Sequence, residues 1–239
     1  RYKEHPFRKD PTFPKLKKAF DAKDSKIREL ESLKEEKKKV ESCLQLGELS
    51  NRKRLLRRMG YADESDVITK KGRVACEISA ADELILTEML FGNVFEELSV
   101  PKIAALLSCF VFQENAPSAK LAEELGGCLR EIQKYAQRIA KLVHECRLEI
   151  IEDEYIESFK PGMMQVVSDW VEGRTFGEIL KSTDIFEGSI IRCFRRLEEL
   201  LREMVGAAKA MENKPLEEKF EQARTKIKRD IVFAASLYL

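Results

Sequence analysis

TDIFEGSIIRCFRRLEELLREMV, residues 183–205, is the stretch from which the fold can be read. Ile190, Phe194, Leu197, Leu201, Met204 and Ala208 recur at steps of four and three, which places them on one side of an α-helix. Arg192, Arg196, Glu199 and Glu203 recur at the same steps on the other side. The spacing therefore predicts one buried face and one face of long charged groups. Ser189 follows the turn Glu187-Gly188 and has the residue type of an N-cap, with a hydroxyl able to accept from a first-turn amide.

Two readings of the charged face stand side by side. It is a solvated face with intrahelical ion pairs, or a surface that touches phosphates and bases of a passing strand. Arginine suits the second because its planar guanidinium forks onto phosphate and stacks on bases. The interleaved glutamates argue against a static phosphate clamp and suit a transient contact. Spacing alone does not decide.

Outward from this helix, the chain reads as all-α. Its 239 residues suffice for one large domain or two small ones, and glycine is sparse. Residues 1–14 are broken by Pro6, Pro11 and Pro14. Residues 15–46 lack Gly and Pro and predict one long helix, with Leu16, Phe20, Ile27, Leu30 and Leu33 in a narrow seam. Such a seam on a charged helix marks a coiled-coil arm whose antiparallel partner is not in this sequence. A helix packing on its own body is the alternative. Gly47 is expected to end or kink it, and residues 49–59 predict a basic helix stopped by Gly60. That helix carries Arg52, Lys53, Arg57 and Arg58, which suit a nucleic acid or an acidic neighbour.

A short extended piece at 66–69 and a lead into a helix capped near Ser79 are expected next. Residues 80–160 read as a bundle, with the apolar run 103–112 as its buried centre and a long helical stretch at 121–148 restarting near Gly126-Gly127. The helix 163–171 with the lone tryptophan, the short 176–181 and the Ser189 helix make a helix-turn-helix outline. Helices at 216–228 and 231–239 close the chain.

Several classes are excluded or disfavoured. No run is apolar and long enough to span a membrane, and no secretory signal is visible. The chain opens at Arg1 in mid-pattern and reads as a piece of a larger protein. Net charge is +1, yet residues 1–59 hold 19 basic and 10 acidic residues (+9) against 24 and 32 (−8) in the rest. A basic arm on a mildly acidic body permits polyanion contact by the arm.

The six cysteines form no C-x-x-C pair and read as buried free thiols in a reducing compartment. With His5 and His144 far apart, zinc is not expected. There is no phosphate-loop motif, and Asp82-Glu83-Leu84-Ile85 reads as a helix start and not a helicase acidic box. No catalytic acid, base or nucleophile can be assigned, and no cofactor is expected in this chain.

Five blocks carry a family resemblance: KGRVACEISA from Lys71, ADELILTEMLF, LLSCFVFQE, FEGSIIRCFRRLEELLREM and IKRDIVFAASLYL. Together they resemble the C-terminal stalk-arm and helical-bundle (DSHCT) region of the DExH-box RNA helicases that feed the RNA exosome. Within that family the likeness is greatest to the nuclear branch of the TRAMP polyadenylation complex, and cytoplasmic relatives share the blocks.

The resemblance implies a returning stalk arm over 1–47, a basic connector over 48–78 and the bundle over 79–239. It implies a non-catalytic module of an ATP-dependent 3′–5′ RNA helicase, whose RecA-like motor domains, with their ATP and Mg, lie outside this sequence. It implies single-stranded RNA, those motor domains, the exosome and polyadenylation-complex adaptors as partners, a nuclear location, and no membrane. By position Arg196 and Glu199 correspond to RNA-facing residues of the family's ratchet helix, and Glu114 to a further channel residue. Arg192 joins them from its place on the same face. A helix-turn-helix DNA reader and a purely partner-recruiting scaffold are the other readings.

Overall fold

The computed structural model describes residues 10–43, 45–114 and 121–229. Over these residues the chain is all-α: no strand forms, and the only pairing of extended backbone is an isolated antiparallel bridge between Ala62 and Ile68. The predicted helix at 231–239 lies outside the described residues, as do His5 and the side chain of Cys43. The backbone divides into two compact units, Arg1–Ser50 and Asn51–Leu239.

The first unit is dominated by α1 (Phe13–Cys43), 31 residues long. Leu16, Phe20, Ile27, Leu30, Leu33 and Val40 are exposed along it. The break after it falls at Gln45, which takes a positive φ of 46°. Gly47 is therefore not the stop that was expected: it sits in the first turn of α2 (Leu46–Arg58). Gly60, at φ 79°, does follow the end of α2 as expected.

In the second unit, α2 places Leu55 in the core, joined by Met59 and Tyr61. The basic face of α2 meets the protein's own carboxylates. Lys53 and Arg57 converge on Asp66 at 3.0 and 2.6 Å, and Arg58 pairs with Glu145. Donation from Lys53, then from Arg57, holds the Asp66 carboxyl below the usual range. Residues 70–76, expected as a lead-in, are themselves a helix, α3 (Lys70–Cys76), capped by Thr69, whose hydroxyl accepts from the Gly72 amide. A Cβ at Gly72 would stand 2.2 Å from the Tyr61 carbonyl oxygen, so only glycine lets α3 approach that turn so closely.

The next helix, α4 (Glu83–Phe91), is capped by Asp82 and not by Ser79. Asp82 accepts from the Ile85 amide at 2.9 Å and from the Tyr155 hydroxyl at 2.7 Å, so the acidic box-like stretch is structural.

At the centre lies α5 (Val100–Val111), in which every residue from Ile103 to Val111 is buried. A helix apolar on all sides belongs inside a bundle; α6 (Glu123–Glu145), α8 (Met164–Glu172), α10 (Glu187–Met211) and α11 (Lys214–Ile227) pack against it. Gly126 and Gly127 do not interrupt α6, which runs through them. Short α7 (Glu152–Glu157) and a 3-10 turn at Pro161–Met163 lead into α8, which stops at Gly173 with φ 113°. After it, α9 (Phe176–Ser182) starts with a reciprocal cap between Thr175 and Glu178.

Trp170 of α8 ties the helices together. Its indole N–H donates to the Ile227 carbonyl at 3.0 Å, and its ring lies 5.3 Å from Phe194 of α10 and edge-on to Phe176 of α9. The Arg229 guanidinium covers the indole at 3.9 Å and donates to the carbonyls of Trp170, Gly173 and Arg174.

Of the cysteines, Cys109, Cys128, Cys146 and Cys193 are buried free thiols. Cys76 is exposed, contrary to expectation, because it closes α3 at the surface. Burial pushes the Cys193 thiol up to about 12, which leaves it protonated and inert. Among the described residues no helix is long and apolar enough to cross a membrane, and no group of three or more His, Cys, Asp or Glu could hold a metal ion.

Candidate functional site

The 25-residue helix α10 follows its sequence pattern closely. Ile190, Phe194, Leu197, Leu201, Met204 and Ala208 are all buried, and α10 packs against α11, α5 and α3. That packing fixes the azimuth of the helix and leaves Arg192, Arg196 and Glu199 in solvent. The side chains of Arg192 and Glu199 are 61% and 56% exposed, so this stretch of the face is open.

The start of α10 differs from expectation. The helix begins at Glu187 after Phe186, with no side-chain cap. Ser189 lies inside the first turn, buried, and its hydroxyl donates instead to Glu114 Oε2 at 2.6 Å. Arg192 donates to Glu114 Oε1 at 2.9 Å and to the Ser189 hydroxyl at 3.0 Å. Glu114 follows the end of α5 and reaches across to α10. The Ser189 hydroxyl, then the Arg192 guanidinium, with the nearby charge of Arg196, hold its carboxyl below the usual glutamate range.

The structure thus brings Glu114, Arg192 and Arg196 into one electrostatic group and adds Ser189 as its bridge. No sequence signal marked that bridge, because Glu114 and Ser189 are 75 positions apart. Glu199 is separate: it faces Arg202 one turn on, at 3.6 Å. The i, i+3 spacing would have found Arg202.

Glu203 leaves the row. Its carboxylate accepts from the amides of Ser79 and Ala80, both at 2.8 Å, and from the Ser79 hydroxyl at 2.7 Å. Burial opposes its charge, but these three donors outweigh burial and keep its carboxyl below the usual range. Glu203 is a strut between α10 and the loop before α4.

The arrangement offers two guanidinium groups and one carboxylate along about two turns of α10, with the Glu114 carboxylate beside them, open to solvent and backed by a buried apolar face. Its one hydroxyl, that of Ser189, is buried and held by Glu114. Chemically the arrangement can donate to phosphate, stack on a base, and accept from a ribose or base donor.

The family model of the DSHCT (NUC185) domain matches residues 65–234. The chain belongs to the DSHCT domain family. It is 56% identical over 239 residues to "mRNA transport homolog 4" of Caenorhabditis elegans, covering 100% of this chain and 23% of that protein. It is also 56% identical over 236 residues to the human "Exosome RNA helicase MTR4", covering 98% of this chain and 23% of that protein. The "ATP-dependent RNA helicase mtr4" of Schizosaccharomyces pombe is 51% identical over 215 residues, 89% of this chain and 19% of that protein. The chain therefore spans about a quarter of the length of the first two relatives.

Proposed function

We propose that this chain is the non-catalytic C-terminal module of an ATP-dependent 3′–5′ RNA helicase, and that α10 lines the path of the unwound strand. The observation that carries this reading is the open row Arg192, Arg196 and Glu199 on a helix whose opposite face is locked into the core. The names of the relatives, an exosome RNA helicase in human and an ATP-dependent RNA helicase in Schizosaccharomyces pombe, supply the substrate class.

In this mechanism the motor domains of the parent, with ATP and Mg, move the RNA, and α10 is the wall against which bases step. Arg192 and Arg196 donate to the strand, while Glu114 and Glu199 keep each contact weak enough to release. A tight clamp would stall movement. The parent's partners on this reading are single-stranded RNA, the exosome and polyadenylation-complex adaptors, in the nucleus.

The helix-turn-helix alternative needs base-edge donors at the start of a recognition helix. Here Ser189 and Ile190 are buried and the first turn is engaged with Glu114, which disfavours a DNA reader. In the intact helicase, Arg196→Ala is expected to lower unwinding more than it lowers ATP binding. Normal unwinding by a correctly folded Arg196→Ala enzyme would overturn the reading.

A further inference from the structure

On the side of the second unit formed by α2, α3, α4 and α6, a cleft of about 470 Å³ opens to solvent. Five cations line it: Arg58, Lys71, Lys134, Arg138 and Lys141. Two carboxylates, Glu88 and Glu145, lie among them, and α10 contributes no lining residue.

The carboxylates are spoken for. Lys71 Nζ lies 2.5 Å from Glu88 Oε1, donates to the Met59 carbonyl at 3.0 Å, and sits 4.9 Å from the Tyr61 ring centre. Glu88 also accepts from the Tyr61 hydroxyl at 3.1 Å. Arg58 takes Glu145. Lys134 has a 3.6 Å contact with Glu131 of its own helix. Arg138 and Lys141 have no carboxylate partner among the described residues.

Surplus cations in a concave site focus a positive potential toward an incoming anion. Lys53, Arg57 and Arg224, by contrast, each meet a carboxylate. Lys134, Arg138 and Lys141 stand at steps of four and three on one face of α6. They rise about 6 and then about 4.5 Å along the axis. A row of that kind fits consecutive charges on a strand better than one small anion. Among the described residues no aromatic side chain lines the cleft, which favours contact with the backbone over stacking on bases.

We infer that this cleft is a second RNA contact, a sequence-independent cradle for the phosphodiester backbone, distinct from the α10 row. The inference rests on the reading of the chain as an RNA-guiding module for the identity of the polyanion. Arg138 and Lys141 supply the donors, Lys134 extends the row, and the Lys71–Glu88 pair forms a fixed wall.

The test is binding of labelled oligouridylate to the 239-residue chain across a salt series. Arg138→Gln/Lys141→Gln is expected to weaken binding ~10-fold at low salt and to flatten the log–log salt slope by about 1.4, each single-strand phosphate contact contributing about 0.7. Lys181→Gln/Lys214→Gln removes equal charge from exposed positions elsewhere and is expected to change both far less. An equal loss in the two double variants, or no loss in the first, overturns the cradle. So does a failure of the parent chain to bind, or polyglutamate displacing RNA at equal charge concentration, which would make the cleft a dock for an acidic protein.

Should the first double variant shift the urea midpoint, Lys134→Gln reads the same slope with an expected change of about 0.7. Arg192→Ala/Arg196→Ala separates the two proposals. Full binding by that variant, with loss in the cleft variant, leaves the cradle standing and removes the α10 reading.

Discussion

Arg192 and Glu203 lie on the same side of α10, eleven residues apart, and have opposite fates. Arg192 projects into solvent and shares Glu114 with Ser189. Glu203 is half withdrawn and satisfies two amides and a hydroxyl of the loop before α4. Periodicity assigned both to a single charged row, and it was right about the side. It could not know that α3 and the following loop arrive over one end of that row and leave the other end bare. One helix face thus divides into a structural end and an end available for work.

That division can be broken experimentally, and the buried side gives the reference. Phe194→Ala removes a fully buried ring from beside Trp170 and is expected to cost about 3–5 kcal/mol in urea unfolding. A cost near zero would mean that α10 is not locked by its apolar face. Glu203→Ala is expected next, at roughly 1–3 kcal/mol, since two amides and a hydroxyl lose their acceptor.

The same contact carries a pH signature. The Glu203 carboxyl is held below its ordinary value, so its contribution is present above the usual glutamate range and is lost as pH falls through the lowered value. The stability difference between parent and Glu203→Ala should therefore shrink on acidification below that range; a constant difference would sink the strut. The smallest effect belongs to Arg192→Ala. An exposed pair is worth little, so stability should change by less than about 0.5 kcal/mol. A loss as large as that of Glu203→Ala would make both ends of the face structural.

How much of this was legible follows from where each signal sits. The buried stripe of α10 and the apolar α5 are written in local periodicity and residue type, and they were read correctly. The misplaced caps share a cause. Ser79 and Ser189 have the right chemistry for an N-cap, but each is recruited by a distant carboxylate, Glu203 and Glu114. The caps of α3 and α4 fell to Thr69 and Asp82.

The basic face of α2 shows the same limit. Nothing in residues 49–59 announces that Asp66 will fold back to take Lys53 and Arg57, a return that requires the positive φ of 64° at Asp66 itself. Of the site residues, Arg192, Arg196 and Glu199 were visible as a helical row. The triangle of Glu114, Ser189 and Arg192 exists only after α5 and α10 have packed.

The Arg229 clasp over Trp170 has an optical consequence. The chain contains a single indole, in contact with Phe194 and with the guanidinium of Arg229. Its emission therefore watches two junctions at once: the seating of α10 on its neighbours and the fastening of residue 229. A solvent-shifted spectrum without loss of helical signal would report that the clasp had opened while the bundle stayed closed.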